Sequence, residues 1–150
     1  MEQCYNWDKN IIYFTDTNNN IFNIQLKGNK TIVSGSSASG KTLLCTKLNW
    51  ILHDKNVGTK KYSADNIFIV NDDNIDKMHN QLGKLIIIDR AEMILNAEII
   101  DYINKDIKNR YLIFVRKPMG LEVTPNHFAE FIRVNNTICI KYMFDIKGWC

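Results

Sequence analysis

The sequence lacks the apolar and cysteine patterns of membrane and metal-binding proteins. No apolar stretch approaches the length that spans a bilayer, and Met1 to Asn10 is polar, without the pattern of a signal peptide. The four cysteines, Cys4, Cys45, Cys139 and Cys150, form no C-x-x-C pair or other metal spacing. Free thiols in a reducing compartment are the simplest account of them. We therefore expect a soluble, cytoplasmic protein.

Strong charge, internal repeats and linkers are also lacking. The 150 residues carry a net charge of +3, and the lysines are spread along the chain. Charge alone therefore does not indicate a nucleic-acid surface, although it leaves one open. The length suits one domain with a real core. We predict a single domain over residues 1–150, with residues 1–30 as an N-terminal β-hairpin within it.

What the sequence does contain is the phosphate-binding pattern G-x-x-x-x-G-K-[ST]. It is formed by Gly35, Ser36, Ser37, Ala38, Ser39, Gly40, Lys41 and Thr42. Small residues let the backbone curl so that successive N–H groups point at a phosphate chain, and the two glycines supply backbone angles that a Cβ would forbid. Lys41 would reach the β- and γ-phosphate oxygens, and the Thr42 hydroxyl would bind Mg²⁺. A β-branched run precedes the octet and apolar residues at helical spacing follow it, through about His53.

With this octet as a Walker A motif, the chain resembles the P-loop NTPase superfamily, and in particular ASCE-type, AAA-like ATPases. Asp89 follows the apolar run Leu85–Ile88 and is similar to the acidic residue of the Walker B motif. The resemblance implies that Asp89 holds Mg²⁺ opposite Thr42. Neither an N/T-K-x-D guanine signature nor an L-S-G-G-Q signature is present. ATP and Mg²⁺ are therefore the expected ligands.

The order of predicted elements alternates between strands and helices. Strands are predicted at 10–14, 21–26, 31–34, 66–71, 84–89, 110–115 and 137–144, and helices at 41–53, 72–82, 91–107 and 125–132. The first two strands flank a turn and suggest the N-terminal β-hairpin. The later elements imply β-α-β units. Together with the resemblance, they predict an α/β protein with the three-layer α/β/α P-loop NTPase fold and a mainly parallel sheet.

Hydrolysis needs a carboxylate that orients or deprotonates the attacking water. Many ATPases of the class that the chain resembles place a glutamate directly after the Walker B aspartate, but Arg90 occupies that position here. Glu92 is the next acid, and it could be the base, a first-turn acid favoured by its helix, or the partner of Arg90. Asp72 and Asp73, at the tip of another strand, are the other candidates for the base.

Cationic residues near the predicted strand ends could contact phosphate. Arg116 ends a strand that, in similar ATPases, lies between the Walker A and Walker B strands, and its guanidinium could bind the γ-phosphate. Arg90 and Arg133 could instead reach the nucleotide of a neighbouring subunit. Trp7, Tyr13 and Phe14 could stack on an adenine base, or they could simply pack within the hairpin.

Three functions stay open at this point. The leading one is an ATP-binding, ATP-hydrolysing protein that couples nucleotide state to a protein partner or to assembly as a homo-oligomer. Lys41, Glu92 and Arg116 would carry its catalysis. The second is a small-molecule kinase of the nucleoside or shikimate type, although the four arginines are scattered and form no lid-like cluster. The third is a non-catalytic nucleotide switch, which the missing glutamate after Asp89 suggests.

Overall fold

The computed structural model describes residues 2–34, 40–54, 56–57, 60–116 and 120–143. The strands are β1 (Glu2–Gln3), β2 (Tyr5–Asn6), β3 (Ile11–Thr15), β4 (Ile21–Gln25), β5 (Lys30–Ser34), β6 (Asn56–Val57), β7 (Lys60–Ser63), β8 (Ile67–Val70), β9 (Leu85–Ile88), β10 (Arg110–Phe114), β11 (Phe128–Val134) and β12 (Thr137–Tyr142). The α-helices are α1 (Lys41–Asp54), α2 (Ala91–Ile94) and α3 (Ala97–Lys105), and short 3₁₀ helices span Ile75–Asn80 and Pro125–His127.

Nine of these strands form one mixed sheet in the order β2-β3-β4-β12-β11-β5-β10-β9-β8. Strands β2, β3 and β4 pair antiparallel, as do β11 and β12. The neighbours from β11 to β8 pair parallel, and so do β4 and β12. A separate small sheet has the order β1-β7-β6.

Alternate side chains of the central strands enter two separate cores. In β9, Leu85 and Ile87 belong to a cluster that includes Leu44 and Leu48 of α1, whereas Ile86 and Ile88 belong to a second cluster. That second cluster contains residues of α2, α3 and the 3₁₀ helix at 75–80. All four residues of β9 are fully buried, as expected for a strand that is covered on both faces.

The two edges of the large sheet come close to each other. Asn66 directly precedes the edge strand β8, and its Nδ2 donates to the carbonyl oxygen of Tyr5 in the opposite edge strand β2, at 2.7 Å. Next to it, the backbone N–H of Cys4 donates to the carbonyl of Ser63 at 2.8 Å. The sheet is accordingly nearly closed and barrel-like in form.

The predicted three-layer α/β/α fold is therefore wrong. The expected β-α-β repetition would give a mainly parallel sheet between layers of helices, but antiparallel strands are built into this sheet and its edges approach closure. Helices are a minor part of the described chain, and α1, with 14 residues, is the longest of them. The N-terminal hairpin was predicted correctly, because β3 and β4 pair antiparallel around the turn at 16–20.

Several predicted helices also differ from the structure. The helix predicted at 91–107 is interrupted at Leu95 and Asn96, where the Asn96 side chain caps α3 by accepting from the Ile99 N–H at 2.9 Å. The helix predicted at 72–82 is only a short 3₁₀ helix. Most of the segment predicted as a helix at 125–132 belongs instead to β11. Strands β1, β2, β6 and β7 were not predicted.

The cysteines are only partly as expected. Cys4 and Cys45 are free thiols, and both are buried. Cys139 in β12 is disulfide-bonded, so the prediction of free thiols is wrong there. Cys150 lies outside the described residues. No helix in the described part of the chain combines the length and the apolar character that crossing a bilayer requires.

Candidate functional site

A cavity of about 490 Å³ opens where β9 and β10 end and α1 begins. That volume is within the range of small-molecule sites, about 300–1,000 Å³. Three separate segments of the chain contribute to its wall. The described lining residues are Lys41, Thr42, Asp89, Arg90, Glu92, Met93, Phe114, Val115 and Arg116. The wall therefore combines three cationic side chains, two carboxylates, one hydroxyl and an apolar strip.

The parallel strands bring these segments together. β10 lies between β5 and β9 and is parallel to both, so all three strands end at the same edge of the sheet. The resemblance had implied that the strand before Arg116 lies between the strands that precede Lys41 and Asp89, and β10 has this position. β5 leads towards α1, whose first residues are Lys41 and Thr42. Of the predicted phosphate-binding loop, Gly35, Ser36, Ser37, Ala38 and Ser39 lie outside the described residues.

Gly40 fixes the start of α1 against the sheet. Its φ of +105° is in the region that favours glycine, as the motif predicted. Its carbonyl oxygen accepts from the Leu44 N–H at 2.9 Å. A Cβ at this position would lie 3.1 Å from Cδ1 of Ile138 in β12. Gly40 therefore allows both the turn into α1 and its close packing on β12.

Thr42 and Asp89, the two predicted magnesium ligands, line the same cavity. Asp89 is half-buried. Burial, and after it the negative charge of Asp89, raises the pKa of the Cys45 thiol in α1 to about 12. Carboxylate and hydroxyl oxygens are ligands that Mg²⁺ prefers. No group of three or more His, Cys, Asp or Glu residues suited to a metal occurs in the described segments. The donor set fits a magnesium ion that shares its ligands with phosphate and water, which needs no such group.

The four arginines divide into two pairs. Arg110 donates to the Tyr5 hydroxyl at 2.9 Å and lies 3.8 Å above the Trp7 ring, while Arg133 donates to Oδ1 of Asn20 at 2.6 Å. Arg90 and Arg116 instead line the cavity. The contacts of Arg133 make it part of the scaffold, and do not favour the predicted role at a neighbouring nucleotide.

Glu92 is the only cavity carboxylate besides Asp89 among the described residues. It is exposed in the first turn of α2, and no ion pair within 4.0 Å joins it to Arg90 in this part of the structure. Asp72 and Asp73 do not line the cavity. They lie in the turn after β8, where the Asn71 side chain accepts from the Asp73 N–H at 2.8 Å. Glu92 is thus the better-placed candidate for a base.

The aromatic residues of the hairpin lie elsewhere. Trp7 packs edge-on against Tyr5, with ring centroids 6.2 Å apart. Tyr13 is half-exposed and lines a different cavity of about 530 Å³. Sequence reasoning did not identify Met93, Phe114 and Val115, which form the apolar part of the first cavity. Their only signal is their place directly beside the predicted strand ends.

No family model, curated protein or solved structure matches this chain. The resemblance to P-loop NTPases is therefore confined to short stretches around Lys41 and Asp89. The assignment of the chain to that superfamily, and to its ASCE-type, AAA-like ATPases, is wrong, because the mixed and nearly closed sheet is a different fold. The chemistry of the cavity has to be judged on its own residues.

Proposed function

We propose that this chain binds ATP with Mg²⁺ in the 490 Å³ cavity and hydrolyses it, coupling nucleotide state to a protein partner or to self-assembly. The observation that carries the proposal is the convergence of Lys41, Thr42 and Asp89 from distant parts of the sequence on one cavity. Each of these residue types suits magnesium-bound phosphate. A location in the cytoplasm, where ATP and Mg²⁺ are available, belongs to the same proposal.

The charge of the cavity favours a polyphosphate. Among the described residues, three cationic and two acidic side chains line it, an excess of one positive charge before any metal binds. α1 has no acidic residue in its first turn, so no side chain of that turn offsets the partial positive charge of the helix N-terminus. Lys41 would bind phosphate oxygens as a point charge, and the Arg116 guanidinium would bind them through its fork of N–H groups.

Magnesium would be held by the Thr42 hydroxyl and the Asp89 carboxylate. When bound, it would neutralise charge on the outer phosphates and align them for displacement. Glu92 would orient a water molecule and accept its proton as the water oxygen bonds to the γ-phosphorus. The bond from that phosphorus to the β–γ bridging oxygen breaks, and ADP and inorganic phosphate leave. Lys41 and Arg116 would stabilise the charge that develops during this step.

The test is binding and phosphate release measured on the same protein. We expect calorimetry to detect ATP binding that depends on Mg²⁺, and a phosphate-release assay to detect turnover. The release assay is run with the protein alone, with DNA, and with small acceptors. Lys108→Ala is the matched control for charge removal, because Lys108 is exposed and does not line the cavity.

Each outcome discriminates among the candidate functions. Absence of ATP binding by the wild-type chain would refute the proposal. Binding without phosphate release under any condition would support the non-catalytic switch, which the absence of an acid directly after Asp89 favours. Turnover only with an added small acceptor would identify a kinase.

A further inference from the structure

Arg90 lines the cavity together with its neighbour in sequence, Asp89. In a continuing strand, consecutive side chains point to opposite faces of the sheet. Here β9 ends at Ile88, and Arg90 has a left-handed backbone with φ 51° and ψ 52°. This turn is what allows the carboxylate and the guanidinium to share one cavity.

The left-handed backbone is unusual for an arginine. Elsewhere in the described chain, the residues other than glycine with positive φ are Asn10, Asn19 and Asn135. Asparagine tolerates this conformation better than long side chains do. Among the described residues other than glycine with positive φ, Arg90 alone is not an asparagine. The backbone conformation at this position therefore does not explain why an arginine occupies it. A strained residue in a cavity suggests a role for the side chain itself.

The Arg90 guanidinium is also not used to hold the fold together. Arg110 and Arg133 both make hydrogen bonds within the scaffold. For Arg90, no hydrogen bond or ion pair to another side chain occurs in the described segments, although two carboxylates share its cavity. Its five N–H groups are therefore open to a ligand.

We propose that Arg90 recognises the γ-phosphate of the bound nucleotide and thereby distinguishes a triphosphate from a diphosphate. This inference rests on the proposed function. Thr42 and Asp89 would hold the magnesium that accompanies the outer phosphates, and Arg90 lines the same cavity as both of them. A guanidinium can bind two oxygens of the γ-phosphate at once. ADP has no γ-phosphate, so it cannot make this contact.

The experiment compares affinities for ATP and ADP, each with Mg²⁺, by calorimetry. Arg90→Asn places at this position the residue found at the other left-handed sites, and Arg90→Gly removes the strain altogether, so both variants are expected to fold. We expect each to lose about tenfold to a hundredfold in ATP affinity, the worth of hydrogen bonds to a charged group. ADP affinity should change less than about threefold, which is no more than the loss of one weak contact would cause. Arg90→Lys, which keeps the charge and loses the fork, should fall between them and the wild type.

The outcomes separate the two proposals. Suppose that the wild-type chain binds ATP. If Arg90→Asn lowers the affinities for ATP and ADP by the same factor, or lowers neither affinity, the γ-phosphate role of Arg90 is refuted while the proposed function stands. If the wild-type chain binds neither nucleotide, both are refuted. Lys108→Ala controls for the loss of one positive charge, and thermal unfolding shows whether a variant is folded. If both Arg90→Asn and Arg90→Gly fail to fold, Arg90→Lys decides: a ratio of ATP to ADP affinity equal to that of the wild type refutes the fork.

Discussion

The buried pair of Asp16 and Lys47 gives the sharpest prediction about this fold. Lys47 lies on α1 and Asp16 begins the turn between β3 and β4; the Nζ–Oδ2 distance is 3.5 Å, with the side chains 4% and 0% exposed. Asp16 also accepts hydrogen bonds from the backbone N–H groups of Asn18 and Asn20, at 2.9 and 2.8 Å, and from Nδ2 of Asn20 at 2.9 Å. The pair therefore connects α1, which begins at the cavity, to the N-terminal hairpin.

The two halves of the pair are not equivalent. In Asp16→Asn, the buried ammonium group of Lys47 loses its counter-ion and keeps the ring of Trp50, whose centroid lies 4.3 Å from Nζ. Removing one partner of a buried pair costs about 3–5 kcal/mol, whereas a cation–π contact offsets about 1–2 kcal/mol. In Lys47→Met, the carboxylate of Asp16 keeps its three N–H donors, so we expect a smaller loss of about 1.5–3 kcal/mol.

The effect of Lys47→Met on the free energy of unfolding should change sign when Asp16 has already been replaced by Asn. Lys47→Met should destabilise the wild-type chain but stabilise Asp16→Asn by about 1 kcal/mol or more, because it removes the unpaired buried charge. The assay is urea unfolding at pH 7, followed by far-ultraviolet circular dichroism, with the free energy extrapolated to water. An equal cost of Lys47→Met in both backgrounds would refute the argument that the charges are coupled.

Four further predictions follow from the same structure. Lys41→Ala should lower ATP affinity by about tenfold to a hundredfold, measured by calorimetry, in a variant that circular dichroism shows to be folded; unchanged affinity would contradict the site. Glu92→Gln should slow phosphate release by about 10²–10⁴-fold and spare ATP binding, and an unaltered rate would exclude Glu92 as the base. Gly40→Ala should cost about 1–3 kcal/mol in urea unfolding, because its φ is +105° and the new Cβ meets β12; a neutral effect would contradict that backbone angle. Burial would raise the pKa of Asp16, but hydrogen bonds from Asn20 and Asn18 and the charge of Lys47 lower that pKa overall. The stability that Asp16 contributes is therefore present above about pH 4 and is lost as pH falls further. The variant that combines Asp16→Asn with Lys47→Met should lose stability with falling pH less steeply than the wild-type chain, and an equal slope in the two proteins would contradict the lowered pKa.

The residues of the candidate site could be predicted because their signals are local. An apolar run such as Leu85–Ile88 indicates a buried strand, and its last neighbour, Asp89, must emerge at a sheet edge. Lys41 and Thr42 begin α1, the next described element in sequence after β5. Since parallel strands end at one edge, strand ends that are distant in sequence meet in space. That reasoning does not depend on how the rest of the sheet is built.

The strand β11 shows why the fold itself was predicted wrongly. Thr124 and Pro125 form a helix start, and the structure keeps it as one turn of 3₁₀ helix with Thr124 and His127 bonded to each other. After that turn, Ala129 and Phe131 are buried in alternation with exposed or half-exposed residues, which is the period of a strand. Short segments fit both periods. The better signal was the two-residue Asn-Asn turn that joins Val134 to Thr137, with Asn135 at φ 56°.

Contacts between distant segments could not be predicted at all. Nothing near Lys47 in the sequence identified Asp16 as its partner. The same is true of the contact between Asn66 and Tyr5, which brings the two sheet edges together. Strands of two residues, such as Glu2–Gln3, carry no periodic pattern and form only where a partner strand is already present.

The wrong prediction of the fold therefore does not decide whether the cavity binds a nucleotide. The cavity depends on α1 and on the adjacent ends of β9 and β10, and β2, β3 and β4 lie at the other end of the strand order. None of these three strands contributes a described residue to the lining of the cavity. Conversely, a fold of the expected class would not have demonstrated that phosphate binds, because binding is a property of the cavity and its charges. Affinity for the triphosphate, compared between Lys41→Ala and Lys108→Ala, is consequently the measurement on which the functional interpretation depends.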